Sequence, residues 1–249
     1  MSAMSSVLQD PVEETRRILA VADERGLLLR AVGGIAIALR SPSVRQLDPP
    51  REYHDIDLAT RGGSSSAVTD AFVALGYRAA DRFNKLNGSE RLLFRDPAGR
   101  RVDVFVDRLR MCHTLEFGNR LGQDSLTLTL ADLALSKLQI IEMTPRDGQD
   151  LLALFADHPL ADHDDDGIGT DRIVDLCSAD WSWWRTVTDN LRTLRDRWSA
   201  GRSALERAAA PRAASMLTRL DEAPKTLAWR MRARLGAHKR WYDLPEEVR

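Results

Sequence analysis

Cysteine and long apolar runs are scarce in this chain of 249 residues. The two cysteines, Cys112 and Cys177, lie too far apart in sequence to indicate a disulfide framework or the ligand spacing of a zinc site. The longest apolar run, residues 31–39, is far shorter than the about 20 residues that a membrane-spanning helix needs. The N-terminal residues show no basic segment followed by an apolar run, so we expect no signal peptide, no membrane partner and a cytoplasmic location.

The chain also lacks an excess of charge of either sign. Its 36 basic and 37 acidic residues leave a formal net charge of −1, which excludes a uniformly basic nucleic-acid coat. This near-neutrality is a cancellation, because residues 157–180 carry a net charge of −7 and residues 181–241 carry +9. With 43% hydrophobic residues the chain can fill a core, which excludes a disordered tail protein.

The first part of the chain alternates short apolar runs with helical patterns, which is typical of a mixed α/β fold. Residues 27–32 and 55–58 have the length and composition of short strands. Residues 91–94 and 101–106 flank the turn sequence Asp96-Pro97-Ala98-Gly99, which predicts an antiparallel hairpin. These elements together predict a short mixed sheet with helices packed on it.

The character of the chain changes after residue 160. We interpret the acidic segment 162–167 (DHDDDG) as a linker, and the residues that follow it show helical patterning. All six tryptophans lie beyond residue 180, which favours a separate helical core. We therefore predict an α/β (α+β) domain over residues 1–160 and an all-α C-terminal domain over residues 161–249.

Two glycines, Gly33 and Gly34, stand between the first predicted strand and the helix that follows it. Glycines in such a turn let backbone N–H groups approach an anion closely, and the N-terminus of the helix adds a partial positive charge. Turn geometry alone is the alternative explanation for the pair. The glycines are therefore a candidate phosphate-binding turn only in combination with other features.

Two aspartates, Asp55 and Asp57, alternate with apolar residues on the next predicted strand. Because residues i and i+2 of a strand point to the same face, the two carboxylates are expected side by side. A divalent cation relieves the repulsion between them, and Mg²⁺ is commonly held by a few carboxylates together with substrate phosphates. Asp103, on the predicted hairpin, would add a third carboxylate. The alternative is a set of aspartates that are simply exposed to solvent.

The order of these residues resembles the nucleotidyltransferase superfamily with the DNA polymerase β-like fold. Members of that superfamily carry a glycine pair after a strand, Asp-x-Asp on the next strand and a further acidic residue on a later strand. Here the corresponding residues are Gly33-Gly34, Asp55-Ile56-Asp57 and Asp103. Arg51 is similar to the arginine of the R-x-T-x-D-x-D version of the motif, although Tyr53 stands where the threonine is expected.

A later segment is similar to the bacterial AbiEii-like nucleotidyltransferases, several of which are toxins. Lys137, followed by Arg146-Asp-Gly-Gln-Asp150-Leu, matches their K…R-D-x-x-D-L signature, in which the lysine and a late aspartate belong to the active site. Only four of the 36 basic residues are lysines, which favours a specific role toward phosphates for Lys137. The alternative is a lysine on a helix surface. The resemblance covers roughly residues 27–155.

This resemblance implies a transferase that moves a nucleoside monophosphate from an NTP, such as ATP, to an acceptor. It implies two Mg²⁺ ions, with Mn²⁺ as the alternative metal, because two cations can stabilise both the attacking and the leaving oxygen. The expected metal ligands are Asp55, Asp57 and Asp103. Asp103 has a second implied role, as the base toward the acceptor hydroxyl.

The remaining site residues are implied by the same resemblance. The expected catalytic residues are Asp55, Asp57, Asp103, Lys137 and Asp150. The expected nucleotide-binding residues are Gly33, Gly34, Arg51, Lys137 and Asp147. Lys137 would neutralise charge that develops on the phosphates. Asp150 or Asp147 would orient Lys137 or contact the nucleotide, and the sequence does not decide between the two aspartates.

The chain departs from the compact members of the superfamily between Gly34 and Asp55. Residues 41–54 form a polar insertion that contains Pro49-Pro50, so we predict a loop there. We expect this loop to be an insertion or a flexible flap. Arg51 lies within it, so the loop weakens the match of Arg51 to the arginine of the family motif.

The acceptor stays open at this stage. The toxin relatives imply tRNA or another RNA as acceptor and an antitoxin as partner. Residues 223–241 carry six basic residues, no acid and the tryptophans Trp229 and Trp241, a combination that can bind RNA through phosphate contacts and stacking. The alternative for this segment is a solvated helix face with tryptophans in the core. Alternative functions are modification of a protein or of a small molecule such as an aminoglycoside, and a non-catalytic nucleotide-binding module.

Overall fold

The computed structural model describes residues 7–244. Over this range the chain forms ten α-helices, nine strands and two 3₁₀-helices, at Pro42–Gln46 and Gly236–His238. The strands are β1 (Leu29–Ala31), β2 (Ile56–Thr60), β3 (Arg78–Ala79), β4 (Arg91–Arg95), β5 (Arg101–Val106), β6 (Arg108–Arg110), β7 (Thr114–Glu116), β8 (Leu160–Ala161) and β9 (Ile168–Gly169). The helices are α1 (Pro11–Glu24), α2 (Gly33–Arg40), α3 (Ser65–Ala74), α4 (Asp81–Asn87), α5 (Leu130–Leu138), α6 (Pro145–Asp157), α7 (Thr170–Ala179), α8 (Trp181–Ala200), α9 (Ala204–Glu222) and α10 (Leu227–Leu235). The predicted α/β class with a helical C-terminal region is confirmed.

Residue contacts divide the chain into two compact units. Within the described residues, unit 1 comprises the chain up to Leu39 together with Glu52–Leu109 and Glu116–Thr129. Unit 2 comprises Arg40–Arg51, Arg110–Leu115 and the chain from Leu130 onward. Helices α5 and α6 therefore belong to the helical unit 2, whereas our sequence-based division places them with the sheet. No helix within residues 7–244 combines the length and the apolar character needed to cross a membrane.

Unit 1 is built on a five-stranded mixed sheet with the strand order β1-β2-β5-β4-β3. β2 and β5 are parallel, and the other neighbouring strands are antiparallel, including the predicted β4–β5 hairpin. One face of the sheet is apolar and fully buried, as Leu58 and Val104 show. Phe72 of α3 stacks on Phe94 of β4 on this face, with 4.4 Å between ring centroids. The polar residues of the central strands are thereby left to the opposite face.

Unit 2 is helical, and its core contains the buried side chains of Phe155, Trp181, Trp183 and Trp198. Phe155 of α6 and Trp198 of α8 pack against each other, with 5.9 Å between ring centroids. The predicted helical core around the tryptophans is therefore present, and helix α6 contributes to it.

The acidic segment 162–167 is folded and is not the bare linker that we predicted. It lies between β8 and β9, which pair in parallel. The carboxylate of Asp164 accepts hydrogen bonds from the backbone N–H groups of Ala131, at 3.1 Å, and Gly169, at 3.3 Å. A carboxylate at the start of α5 satisfies a backbone donor that the helix itself cannot satisfy.

Hydrogen bonds to helix α6 hold the segment 41–54, which we predicted as an insertion or a flexible flap. Ser43 N donates to Asp157 Oδ2 of α6 at 2.9 Å, and Gln149 Nε2 of α6 donates to the carbonyl of Pro49 at 2.8 Å. These contacts tie both halves of the loop to one helix, so the segment that carries Arg51 has a defined position in unit 2.

Candidate active site

Helix α2 begins at Gly33 itself, and Gly34 lies in its first turn. Gly33 has φ of +72°, in the left-handed region that favours glycine. A Cβ atom at Gly33 would lie 2.8 Å from Asp57 Oδ2, so only glycine lets the backbone come this close to the carboxylate. Val32 N also donates to the carbonyl of Asp57 at 3.0 Å, which ties the turn to β2. The glycine turn and Asp57 thus form one local arrangement.

The two aspartates of the Asp-x-Asp motif differ in their surroundings. Asp57 is the second residue of β2 and is half-buried, whereas Asp55 lies in the bend just before β2 and is exposed. Ile56, between them, is fully buried, as the alternating pattern predicts. Asp57 therefore lies on the side of β2 opposite to the apolar core, whereas Asp55 precedes the strand and is not placed on that side by strand alternation.

Asp103 lies next to Asp57 in the centre of the sheet. The parallel register of β2 and β5 pairs Asp57 directly with Asp103. Side chains at paired positions of neighbouring strands point to the same face. Both carboxylates therefore belong to the polar face of the sheet, although Asp103 is only 3% exposed.

Two arginines hold the carboxylate of Asp103. Arg91 Nε donates to Oδ1 at 2.8 Å. Arg101 Nε lies 2.8 Å from Oδ2, and its Nη2 donates to Oδ1 at 3.4 Å. The guanidinium of Arg91 also lies over the ring of Phe105, 5.0 Å from its centroid. Sequence reasoning missed both arginines, although Arg101 stands two residues before Asp103 and so shares its strand face.

These carboxylates differ in what they offer to a divalent cation. Asp55 and Asp57 stay the predicted ligands of a Mg²⁺ ion that substrate phosphates would also hold, since one or two protein carboxylates suffice for such a site. Asp103 does not fit as a third ligand in this arrangement, because both of its oxygens are engaged by arginines. Within residues 7–244, no group of three or more His, Cys, Asp or Glu side chains is placed to hold a metal. The two-metal site stays a prediction.

Unit 2 brings together four charged residues that the sequence motifs singled out separately. Arg51 donates from Nε to Asp150 Oδ1 at 2.8 Å and from Nη2 to Oδ2 at 3.1 Å. Lys137 Nζ lies 2.7 Å from Asp147 Oδ1 and 3.0 Å from Asp150 Oδ2. The side chain of Asp150 is completely buried. Two positive and two negative charges balance in this cluster, which makes their burial tolerable.

The local sequence explains the position of Asp147. Asp147 is the third residue of α6 and forms a capping box with Thr144, whose hydroxyl donates to Asp147 Oδ2 at 2.6 Å. Burial by itself would raise the pKa of Asp147, but Lys137 and the hydrogen bonds from Thr144 outweigh burial and hold this pKa below its usual value. One carboxylate therefore starts the helix and binds the lysine.

Lys137 is a buried cation and not a lysine on a helix surface, since its side chain is only 13% exposed. Burial by itself would lower the pKa of Lys137, but Asp150 and Asp147 outweigh burial and raise it. Lys137 therefore carries its charge at neutral pH. Both aspartates contact its ammonium group, so the choice between Asp147 and Asp150 that the sequence left open does not arise for this contact.

The basic segment at residues 223–241 forms α10 and the turn that follows it. Trp229 packs edge-on against Trp184, and Trp241 packs edge-on against Trp181. These tryptophans are therefore anchored within unit 2 and do not stand free for stacking with bases. The basic residues that this segment exposes are Arg230, Arg234, Lys239 and Arg240.

No family model and no curated protein matches this chain. The solved structures that are similar to part of it include the following two. The crystal structure of ANT(2'')-Ia in complex with adenylyl-2''-tobramycin shares 19% sequence identity at a TM-score of 0.35, over 54% of this chain and 78% of that chain. The solution structure of the antibiotic-resistance factor ANT(2'')-Ia shares 17% identity at a TM-score of 0.37, over 56% of this chain and 79% of that chain. Similarity at this level assigns no family to the chain.

Proposed function

We propose that this protein is a Mg²⁺-dependent nucleotidyltransferase that moves a nucleoside monophosphate from an NTP to an acceptor. The observation that carries the proposal is the approach of Gly33 to Asp57, in which a left-handed glycine at the start of α2 leaves room only for the carboxylate. A phosphate that binds the first N–H groups of α2 would lie close to Asp57. Asp57 is a residue of the Asp-x-Asp motif on which the resemblance to nucleotidyltransferases depends.

Each site residue has a proposed task. Asp55 and Asp57 would hold the cation, and Mg²⁺, when bound, supplies positive charge next to the phosphates. The backbone at Gly33 and Gly34 would orient a phosphate at the N-terminus of α2, which carries a partial positive charge. Lys137 is the proposed cation that neutralises charge developing on the phosphates.

The buried cluster of unit 2 gives Lys137 a fixed orientation. Asp147 and Asp150 both contact its ammonium group, and Arg51 braces Asp150 from the other side. Arg51 is also the proposed nucleotide contact of this cluster.

The proposed reaction is an in-line displacement at phosphorus. An oxygen of an acceptor hydroxyl forms a bond to the α-phosphorus, and the bond from that phosphorus to the bridging oxygen breaks. Pyrophosphate leaves, and the hydroxyl proton passes to a base. Asp103 is the sequence-based candidate for this base, but its two arginine partners argue against that assignment.

For the acceptor we propose RNA, including tRNA, because α10 and the turn after it expose basic side chains such as Arg230 and Arg234. A toxin-like activity of the AbiEii-like type, with an antitoxin as partner, belongs to the same hypothesis. Modification of a protein, modification of an aminoglycoside, and nucleotide binding without turnover are the alternatives.

One assay separates these functions. The protein is incubated with each labelled NTP and Mg²⁺, together with total tRNA, a protein lysate or a panel of aminoglycosides. We expect label on RNA, and Asp57→Asn should reduce the transfer at least about a thousandfold because it removes a metal ligand. Asp70→Asn, at an exposed aspartate of α3, is the matched control and should transfer as the wild type does.

The outcomes that contradict the proposal are equally defined. Label on protein or on a drug would support transferase activity but would show that the acceptor is not RNA. Binding of NTP without transfer to any acceptor would favour a non-catalytic module. No transfer, combined with Mg²⁺-dependent nucleotide binding that Asp57→Asn leaves unchanged, would remove Asp57 from the site.

A further inference from the structure

We propose that Asp103 is a positioning residue, which holds Arg91 and Arg101 as a phosphate-binding pair. The sequence motif predicts that Asp103 is a metal ligand or a base, and the contacts in the structure point to a different task. The inference rests on the proposed function for the identity of the substrates and adds two arginines to the site.

All members of this group lie on one face of the sheet. Arg101, Asp103 and Phe105 alternate along β5 and so point the same way. Arg91 of β4 pairs in register with Phe105, and Asp57 of β2 pairs with Asp103. Asp103 is therefore the direct neighbour of Asp57 across the sheet, and Arg91 lies one strand further from Asp57, on the same face.

The contacts of Asp103 leave little room for a cation. Both of its oxygens lie 2.8 Å from an arginine Nε, and its side chain is only 4% exposed. A metal ion at this carboxylate would meet two positive charges at hydrogen-bond distance from its ligand. It would also break the ion pairs of both arginines. Asp103 is thus already neutralised within the protein.

The arginines are more accessible than the carboxylate that they share. Their side chains are 25% and 23% exposed, compared with 4% for Asp103, and Nε of Arg101 itself is buried. Arg91 and Arg101 bring two positive charges to this group, and Asp103 brings one negative charge. A guanidinium presents five N–H donors in one plane, an arrangement that matches phosphate oxygens.

The same contacts hold the arginines in place. Arg91 is fixed on one side by Asp103 and on the other by the ring of Phe105. Fixing a long side chain in advance lowers the entropy that is lost when a ligand binds. The group therefore has the charge, the donors and the rigidity of a phosphate site. The phosphate would belong to the NTP or to an RNA acceptor.

The test measures binding without catalysis. Affinities for inorganic tripolyphosphate and for a short single-stranded RNA oligonucleotide are measured in EDTA, so that no metal contributes. Arg91→Gln and Arg101→Gln should each weaken the binding of at least one probe about tenfold or more. Arg78→Gln, at an exposed arginine of β3, is the matched control and should change neither affinity by more than about twofold.

The two probes distinguish the sources of the phosphate. Weaker binding of tripolyphosphate alone assigns the pair to the NTP, and weaker binding of the oligonucleotide alone assigns it to the acceptor. Arg91→Lys and Arg101→Lys keep the charge but lose the planar fork, so they should also weaken binding. Thermal melts of all variants establish that they are folded.

Transfer kinetics separate a positioning residue from a catalytic one. Asp103→Asn should keep kcat within about tenfold of the wild type, because the amide oxygen still accepts from Arg91. Arg91→Gln should raise KM for the substrate that it binds and leave kcat nearly unchanged.

Two results would overturn the inference. One is unchanged affinity for both probes in folded Arg91→Gln and Arg101→Gln. The other is a loss of kcat of about a thousandfold in Asp103→Asn with unchanged probe affinity, which would make Asp103 catalytic. If no transfer is found with any acceptor but the arginine variants bind the probes weakly, the proposed function fails and the phosphate site stands.

Discussion

Arg51 and Asp150, 99 residues apart in sequence, form a bidentate ion pair in which the carboxylate is completely buried. Nζ of Lys137 lies 3.0 Å from Oδ2 of the same carboxylate. The arrangement fixes the loop that carries Arg51 to helix α6, and it fixes the only lysine that the sequence motifs single out.

Removal of Arg51 should destabilise the fold. Arg51→Gln leaves Asp150 with one cation in place of two, and the loss of one partner of a buried pair costs about 3 kcal/mol. We expect urea unfolding to show a loss of this size. Arg195→Gln breaks an exposed ion pair with Asp196 and is the control, with a change of at most about 0.5 kcal/mol. Equal effects of the two variants would contradict a structural role for the buried pair.

Substitution of Gly33 separates backbone strain from contact with Asp57. Gly26 and Gly33 have nearly the same left-handed φ, but only Gly33 has Asp57 within reach of a Cβ atom. Gly26→Ala should cost about 1–2 kcal/mol from the backbone alone. Gly33→Ala should have a similar cost in stability, because the nearest atom, Asp57 Oδ2, is the end of a side chain that can rotate away. It should also weaken Mg²⁺-dependent nucleotide binding, measured by calorimetry, whereas Gly26→Ala should leave that binding intact.

His113 should make the protein sensitive to acid. It is buried in unit 2, with Nε2 2.8 Å from Thr186 Oγ1, and burial lowers the pKa of His113 to about 4. Below a pH of about 6.5 the unfolded chain protonates this residue while the folded chain does not, so stability is lost as the pH falls from 6.5 to 4. Between pH 7 and pH 5 this loss amounts to about 2 kcal/mol.

The measurement is urea unfolding of the wild type and of His113→Gln at a series of pH values. Because glutamine does not titrate, the variant should lose about 2 kcal/mol less than the wild type over the interval from pH 7 to pH 5. Parallel stability curves for the two proteins would show that His113 does not titrate as its burial implies.

Asp107 should be intolerant of alanine and tolerant of asparagine. Its φ of +60° lies in the left-handed region, and its Oδ1 accepts from Gly62 N at 2.9 Å. Asparagine adopts this conformation readily and keeps an acceptor oxygen, whereas alanine does neither. Asp107→Ala should lower the free energy of unfolding by about 1–3 kcal/mol. Asp107→Asn should lower it by less than about 1 kcal/mol, and a reversed order in thermal melts would contradict this account.

The elements that could be predicted from the sequence are those with local signals. The β4–β5 hairpin is predicted by four turn residues between two apolar runs, and the turn at Gly33 by two glycines between a strand and a helix. Asp107 shows the limit of this reasoning. The alternation of β5 places it on the face of Asp103, but the strand ends at Val106 and Asp107 turns left-handed.

Contacts between residues that are distant in sequence have no local signal of this kind in the sequence. An acidic run such as residues 162–167 is typical of a solvated linker, and nothing in it shows that Asp164 meets the start of α5, more than thirty residues earlier. Arg91, one of the two arginine partners of Asp103, was missed for a related reason. Whether a carboxylate faces a metal or an arginine depends on strand register, and the register of β4 against β5 is fixed only when the hairpin has formed.

The parallel pairing of β2 with β5 has a consequence for how the chain acquires its structure. Asp103 follows Asp57 by 46 residues, and α3, β3, α4 and β4 lie between them. During synthesis, β2 leaves the ribosome well before the strand that completes the centre of the sheet. Pairing at such a separation closes a long loop and slows folding. Until β5 arrives, β2 presents an open strand edge on which nascent chains can associate, so the proposed metal-binding strand is also a point at which the growing chain is vulnerable to aggregation.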